Sequence, residues 1–573
     1  IDGNLVTLSE NIFMYKNSAQ AIFLLSSFCG KLGVNLCLVT NSSSTKIANF
    51  GFVVPSAIFS DVKTISIQNL PDAVGACVLP CVSVNHGLKI ISGLCHVLRY
   101  ILKFKIKNHD DSKFLKGLLG HKQCCLKASS EISSRTNLCE VLAPQIIDHW
   151  LPSYDSDIPP PILQFEGHMR KPIVIHNMDK MQRIVLERLE AKDIVTKEPP
   201  NKKIKARKRV IKTNDLPPLE HVFTEGVEFM ISDLALLPCM HSFIQLSGHK
   251  LCDLKLSLPL TLLWYHRLHS IDDVVKAASN CGVKLIPVSE FVGHKKTNFE
   301  NGTYQLDITL RRDLPGIIVK VNELVNIKFE NLERKCIELQ WETFPSSVHP
   351  TQGELSLARA SRKCHQIENI VGAVMETCKK DDVIVDFCSG GGHVGIVLAY
   401  LLPSCKVILV ENKEESLDRA YQRIQTLKLK NIMLYQCNLD QFSKDFDIGI
   451  ALHACGVATD MVLQKCISNH ASFVISPCCY GKIQNTATLT YPQSSMFKNS
   501  LISYEQLVLL GHGGDQTSWN FESEKSKQGK HCMGLVDSDR CHFATESNYR
   551  TKMYTMLPTN CSPKNNLIVG VLK

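Results

Sequence analysis

Asp386 stands four residues ahead of Gly390 in the run VIVDFCSGGGHVG, residues 383–395. An apolar stretch closes on an acid, then on glycines, then enters an apolar helical pattern. This is the signature of a buried parallel strand feeding a helix. Gly390 and Gly392 permit a tight turn and close approach of backbone to a ligand, and Gly395 permits close packing of helix on strand. The spacing Asp-x-x-x-Gly-x-Gly favours S-adenosyl-L-methionine over a dinucleotide. No diphosphate needs the helix dipole there, and Asp386 can attract the methionine ammonium directly or through water. Glu411 ends a second apolar run 25 residues later, where a carboxylate reaches ribose hydroxyls. Asn438 ends a third, suited to the adenine amino group. Upstream, Lys363 and Gln366 sit on the polar side of a helix patterned by Ile367, Ile370, Val371 and Val374. There they would close over the cofactor; a solvated face is the other reading.

Two later loops carry nucleophiles and ligands: His453-Ala-Cys455-Gly456, and Cys478-Cys479-Tyr480-Gly481. Both follow strand patterns and would form the floor of a substrate pocket. His453, Cys455, Cys478 and Cys479 could offer nitrogen and sulfur to a metal. Adjacent cysteines are poor ligands for one tetrahedral ion, however, and no Cys-x-x-Cys occurs, so no metal site is expected. A fifth-strand cysteine could attack C6 of a pyrimidine. His453 could act as base toward a ribose hydroxyl. Simple packing of small thiols is the remaining reading, strongest for Cys455.

Residues 386–481, with CSPKNN at 561–566, resemble the glutathione S-transferase C-terminal domain-containing protein family. More distantly they are similar to RNA methyltransferases with a His-x-Cys-Gly loop and a Cys-Cys pair. The resemblance implies a methyltransferase-like domain and leaves its substrate open. RNA is the expected substrate class.

The elements that position these residues alternate strand and helix, which implies an α/β fold. Residues 351–573 are expected to form a seven-stranded Rossmann-like methyltransferase domain. Segments 531–536 and 566–571 would supply its antiparallel strands, and 511–528 a mobile loop over the site. Residues 291–350 read as a connector, with strands at 304–310 and 316–321. Residues 106–290 read as an all-α domain similar to glutathione transferase C-terminal domains. In those domains Ser/Thr-x-x-Asp forms a reciprocal helix cap. Here Asp233 is present but Met230 holds the cap position, with Ser232 an imperfect substitute. Trp264 and Tyr265 read as core.

Residues 1–105 pattern as helix 18–25, strand 34–40, a proline-broken strand 77–84 and an apolar helix 87–102. That order is compatible with a thioredoxin-like glutathione-transferase domain, whose proline is cis. No serine, tyrosine or cysteine stands in a glutathione-activating position. Val84, Asn85 and His86 replace the acid–serine pair that would hold a glutamyl group. The domain is therefore expected to be degenerate, serving as scaffold for a protein partner or homodimer.

Composition sets outer bounds. The 573 residues, 44% hydrophobic, suffice for three ordinary cores. The first residue is Ile1, so a start further upstream is expected. No run is long and apolar enough to suggest a membrane span. The 24 cysteines are scattered without a disulfide framework, which fits a cytoplasmic or nuclear protein. Net charge is +9, but eight basic residues and one acid between 197 and 212 supply +7 of it. The rest is nearly neutral, unlike a domain with a broad basic face. This basic linker, 190–214, reads as a solvated insert, a nuclear-import signal or a clamp on RNA phosphates.

Overall fold

The computed structural model describes residues 11–14, 16–29, 35–40, 63–108, 113–127, 134–142, 158–173, 182–183, 219–247, 251–288, 313–324, 337–353 and 356–573. The basic run 197–212 and the expected strand 304–310 lie outside them.

Near the amino end come β1 (Asn11–Met14), α1 (Lys16–Cys29), β2 (Asn35–Thr40), β3 (Lys63–Ser66), β4 (Cys81–Val84), β5 (Lys89–Ser92) and α2 (Leu94–Asn108). β1 runs parallel to β2 and antiparallel to β4, with β5 antiparallel beyond it. The Leu79–Pro80 peptide ahead of β4 is cis. The apolar segment 87–102 is not one helix. Gly93, at φ 97°, separates β5 from α2.

The helices α3 (Pro160–Arg170), α4 (Ile231–Leu246), α5 (Pro259–His269) and α6 (Asp272–Asn280) share one apolar core with α1 and α2. Ile22, Leu98, Phe165, Phe243 and Trp264 all lie in it. Asp233 keeps its half of the helix cap: Met230 N–H donates to Oδ2 at 2.9 Å. Its Oδ1 accepts from Thr224 N, Thr224 Oγ1 and Trp264 Nε1, so Thr224 braces the carboxylate, while the Asp233 N–H that a cap hydroxyl would accept goes to Met230 O at 3.1 Å. Ser232 does not substitute; its hydroxyl faces the Cys125 thiol. Trp264 and Tyr265 are fully buried, as core.

Next come α7 (Leu314–Leu324) and α8 (Leu357–Thr377), followed by the alternating series β6 (Val383–Phe387), α9 (His393–Leu401), β7 (Lys406–Glu411), α10 (Glu414–Leu427), β8 (Ile432–Gln436), β9 (Ile448–Cys455), α11 (Val457–Ser468) and β10 (Ser472–Cys478). The chain ends with α12 (Tyr504–Gly514), α13 (Glu524–Glu546), β11 (Tyr549–Thr555) and β12 (Asn566–Leu572). Strand order across the sheet is β11-β12-β10-β9-β6-β7-β8-β5-β4-β1-β2-β3. The seven strands β6 to β12 make a Rossmann-like methyltransferase sheet. β6 to β10 are parallel, and β12 and β11 are antiparallel at one edge. Strand order reverses between β6 and β9, the place where such sheets open a cleft at their carboxyl ends. The amino-terminal strands continue the same sheet, because β5 pairs in parallel with β8.

Three expected elements differ. Residues 316–321 are helical within α7, where Ile317 and Val321, one turn apart, are buried. Residues 531–536 lie inside α13, not in a strand. That helix is buried on several faces, so its sequence shows a short apolar run instead of a 3.6-residue period. The strand taken for it is β11, whose inward Tyr549, Met553 and Tyr554 sit among polar neighbours. Half of 511–528 is helical as well, leaving residues 515–523 between α12 and α13. Among the described residues no helix is long and apolar enough to cross a membrane.

Candidate functional site

The cleft begins where β6 ends. Asp386 is buried, and its Oδ2 accepts the Gly395 N–H at 2.9 Å, tying the strand end to the first turn of α9. Burial pushes this carboxyl up to about 7; the Gly395 bond and the Lys363 charge work against that, while Glu411 adds to it. Gly390 and Gly392 adopt φ of 55° and 70°. A Cβ on Gly395 would lie 2.2 Å from Leu409 Cδ2, so only glycine lets α9 pack on β7 here. A Cβ on Gly390 would meet nothing within 4 Å: that backbone faces open space. Glu411 holds the glycine turn from β7. Its Oε2 accepts from Gly390 N at 2.8 Å and its Oε1 from Lys413 N at 2.9 Å. Each oxygen keeps a further lone pair for a ligand hydroxyl.

Asn438 follows β8 and is buried. Its N–H donates to Gln441 Oε1 at 2.9 Å, and its side-chain amide donates to Asp440. Lys363, half-buried on α8, faces Asp386 and Cys478. Burial lowers its pKa, and those two groups oppose the shift. Gln366 is a bridge and not a free polar group. Its Nε2 donates to Cys561 O at 2.8 Å, leaving Oε1 to face His453 Nε2 at 3.0 Å. His453 must then carry its proton on Nε2 and present Nδ1 as the bare nitrogen. Burial, aided by the Lys363 charge, takes this imidazole down to about 3. So weak a base does not fit proton abstraction from a ribose hydroxyl, and His453 is better suited to accepting a hydrogen bond.

Cys455 and Cys478 are register partners on β9 and β10, with Cys479 next along. The Sγ atoms lie 3.2 Å (455–478), 3.4 Å (455–479) and 3.7 Å (478–479) apart. The Cys478 hydrogen bond lowers Cys455 to about 6; the Cys479 thiol, Lys482 and Lys413 help, and burial opposes. Cys478 is shifted the other way, since its proton serves that same bond. The shifts favour the anionic form at Cys455 on β9 over Cys478 on the fifth parallel strand, where the nucleophile reading places it. Tyr480 is outside the cleft altogether. Its ring is fully buried and its hydroxyl donates to Asp537 Oδ2 at 2.8 Å on α13. Tyr480, whose loop the sequence places at the floor of the substrate pocket, is instead held by α13.

Four contributors escape sequence reading. Ser389 Oγ and Gln436 Oε1 are buried beside the glycine turn and at the end of β8, without a hydrogen-bond partner among the described residues. Arg423 is buried on α10, with no carboxylate paired to it among the described residues. Its guanidinium donates to Gly391 O (2.8 Å), Ser347 O (2.8 Å) and Val348 O (3.1 Å). The signal was a charge on the apolar stripe formed by Leu417, Ala420 and Ile424. Asp515 accepts from Tyr480 N and Gly481 N at 3.0 and 2.8 Å and so fixes the Cys-Cys loop. The supposed mobile segment is thus an anchor, and Trp519 within it stacks on Arg362 at 4.6 Å.

Residues 362–486 match a family model described as a methyltransferase domain, so sheet, glycine turn and sequence agree on a methyltransferase-domain protein. Among solved structures, this chain is similar to a SAM-dependent methyltransferase from Aquifex aeolicus (12% identity, 40% of this chain and 98% of that one, TM-score 0.23). It is also similar to an rRNA methylase from Streptococcus thermophilus (13%, 36% and 94%, 0.21). Along nearly its whole length it is 37% identical to the glutathione S-transferase C-terminal domain-containing protein of Mus musculus (98% of this chain, 96% of that one). The Xenopus laevis protein of that name is 38% identical (98% of each), and the Drosophila melanogaster homolog 34% (84% and 83%). The chain belongs to the glutathione S-transferase C-terminal domain-containing protein family.

Proposed function

We propose that this chain is an S-adenosyl-L-methionine-dependent methyltransferase acting on RNA, with the amino-terminal half as its scaffold. The carrying observation is the cradle at the β6–β9 switch point. Gly390 opens onto free space, Glu411 is aimed by two backbone N–H groups, and Ser389 Oγ and Gln436 Oε1 are buried without partners among the described residues. Polar atoms left unsatisfied in a packed site are costly unless a ligand meets them. When bound, the cofactor supplies an electrophilic methyl group. The chain's own residues would bind and orient it: Asp386 toward the ammonium, Glu411 toward the ribose, and Asn438 with Gln436 toward the base. His453 Nδ1 and the Cys455 sulfur, both at the carboxyl end of β9, would face the substrate.

RNA as substrate rests on the basic run 197–212 and on the resemblance of the two His/Cys loops to those of RNA methyltransferases. Isothermal titration with S-adenosylhomocysteine, then transfer of labelled methyl to cellular RNA and protein pools, tests the reading. Equal labelling by wild type and Asp386→Ala would leave a cofactor-binding scaffold instead.

The strand order β5-β4-β1-β2, with a cis proline entering β4, supports a thioredoxin-like reading of the amino-terminal region, and the α3–α6 core supports a glutathione-transferase-like helical domain. Glutathione transfer itself is disfavoured. The backbone ahead of Pro80 is engaged by the methyltransferase domain, with Val78 N donating to Gln441 O and Ser443 N to Ala76 O, both at 2.9 Å. We read this half as a scaffold for a protein partner or second copy, in a reducing compartment.

A further inference from the structure

We infer that Cys455, Cys478 and Cys479 form a zinc site with three thiolate ligands and one open position at the edge of the cleft. Sequence spacing argues against it, because adjacent cysteines usually diverge. The structure removes the objection: Cys479 adopts φ 51°, in the left-handed region, which turns its thiol to the same side as that of Cys478. Cys455 then completes the triangle from the neighbouring strand.

Tetrahedral zinc with Zn–S bonds of ~2.3 Å sets its sulfurs ~3.8 Å apart. The observed separations of 3.2, 3.4 and 3.7 Å fall just inside that edge and well outside the ~2.05 Å of a disulfide. A triangle of these sides has a circumradius of about 2.0 Å. An ion ~2.3 Å from each sulfur therefore stands roughly 1.2 Å out of their plane, the pyramidal arrangement that leaves a fourth position free. Among the described residues these three form the one His/Cys/Asp/Glu group that converges in this way.

Charge supplies an independent argument. Four lysines act on the cluster, of which Lys564 also pairs with Asp515 at 3.2 Å and Lys363 also faces Asp386. Lys482 and Lys413 act on Cys455, Lys363 on Cys478, and Lys564 on Cys478 and Cys479. Binding Zn²⁺ displaces to solvent whatever thiol protons remain and leaves three thiolates and the ion, a complex of net charge −1 that nearby ammonium groups favour. Sulfur ligands alone select a soft or borderline ion. The open position, beside exposed Cys455, would take water or a donor atom of the substrate.

The test uses the full chain. After dialysis against a weak chelator near pH 7.5, zinc is expected at about one equivalent by elemental analysis. Co²⁺ exchange should give thiolate-to-cobalt charge-transfer absorption with tetrahedral d–d bands. The combined Cys455→Ser, Cys478→Ser, Cys479→Ser variant should lose both signals, and Cys124→Ser should keep them. Should the triple variant misfold, wild-type protein still decides: added zinc must slow iodoacetamide labelling of Cys455 and Cys479 without slowing Cys124. Zinc retention no greater than in the triple variant, or no protection from labelling, would overturn the inference. None of these readouts depends on methyl transfer.

Discussion

Asp386 and Gly395, nine residues apart, are joined by an Oδ2 to N–H hydrogen bond of 2.9 Å that crosses the glycine turn. The same carboxyl is held near 7 by burial, far above its ordinary value of 3.8. The fold thus favours the protonated form. Stability from this group is complete below about pH 4 and is lost as pH rises through about 7, by at most roughly 4 kcal/mol. Cofactor binding should show the opposite trend, because an ammonium needs the ionised acid. Affinity for S-adenosylhomocysteine is expected to rise up to about tenfold per pH unit below 7 and then level off. Asp386→Asn should flatten both profiles in calorimetry and thermal melts. A wild-type affinity independent of pH between 5 and 8 would contradict this.

Gly390 and Gly395 should separate binding from stability. Gly395→Ala drives a methyl into Leu409 Cδ2, so it is expected to destabilise by ~1–3 kcal/mol. Gly390→Ala meets no atom but places alanine at φ 55°, costing about 1 kcal/mol. Its methyl projects where a cofactor would lie, so affinity should fall at least tenfold while the melting temperature drops only a few degrees. Melting and titration on the two variants check the contrast. An affinity for Gly390→Ala equal to wild type would show that the open space is not the binding cradle.

The carboxyl-terminal sheet was legible because β6 and β7 are short apolar runs ending in Asp386 and Glu411, a pattern local to each strand. α13 was not. Buried Cys532, Met533, Leu535 and Val536 share the helix with buried Asp537, Asp539 and Arg540, whose partners are distant in sequence. Hydrophobic periodicity cannot register a helix whose polar face is also inside. Asp386, Glu411 and the glycines were predictable from spacing. The bridge from Gln366 to His453, the burial of Tyr480 against Asp537 and the convergence of three thiols each depend on tertiary placement. Arg423 sits between: its anomaly is visible on the helix, and its purpose only in space.

Arg423 offers a test of that purpose. Replacing it with methionine leaves the carbonyls of Gly391, Ser347 and Val348 without their shared donor. Each lost buried bond costs of order 1 kcal/mol, so a loss of ~2–4 kcal/mol is expected by urea unfolding. Because Gly391 belongs to the glycine turn, cofactor affinity should fall too. Arg423→Lys, with one ammonium for three carbonyls, should recover only part of either. Unchanged affinity in a folded Arg423→Met would mean that the turn holds its shape unaided.

Arg540 joins two buried acids: Nε and Nη2 each reach Asp460 at 2.8 Å, and Nη1 reaches Asp537 at 2.9 Å. Tyr491 and Tyr480 donate to those acids at 2.7 and 2.8 Å. Removing one member of such a set strands a charge in the core. Arg540→Met is expected to cost ~3–5 kcal/mol. Tyr480→Phe removes one donor from Asp537, which keeps Asn566 and Arg540, and should cost only about 1–2 kcal/mol. If Tyr480 is structural, Tyr480→Phe should leave methyl transfer within about twofold of wild type. A hundredfold loss with little change in stability would return this hydroxyl to the reaction.

The pairing of β5 with β8 makes the last prediction. β8 is an inner strand only because β5 covers it: Leu434 N donates to Leu88 O at 3.0 Å, and Lys89 meets Asp418 at 2.9 Å. Lys103 and Lys127 pair with Glu414 and Glu415 across the same seam. Cutting the chain before residue 337 would uncover the β8 edge together with Tyr435, fully buried in the intact protein. A bare apolar edge templates association. The fragment 337–573 should therefore aggregate or oligomerise in light scattering, while the whole chain holds its β8 edge paired. High salt should screen the lysine pairs, since their carboxylates are partly exposed, at a cost of at most about 1 kcal/mol each. A monomeric fragment that binds S-adenosylhomocysteine as tightly as the full chain would show that the amino-terminal half is dispensable to this sheet.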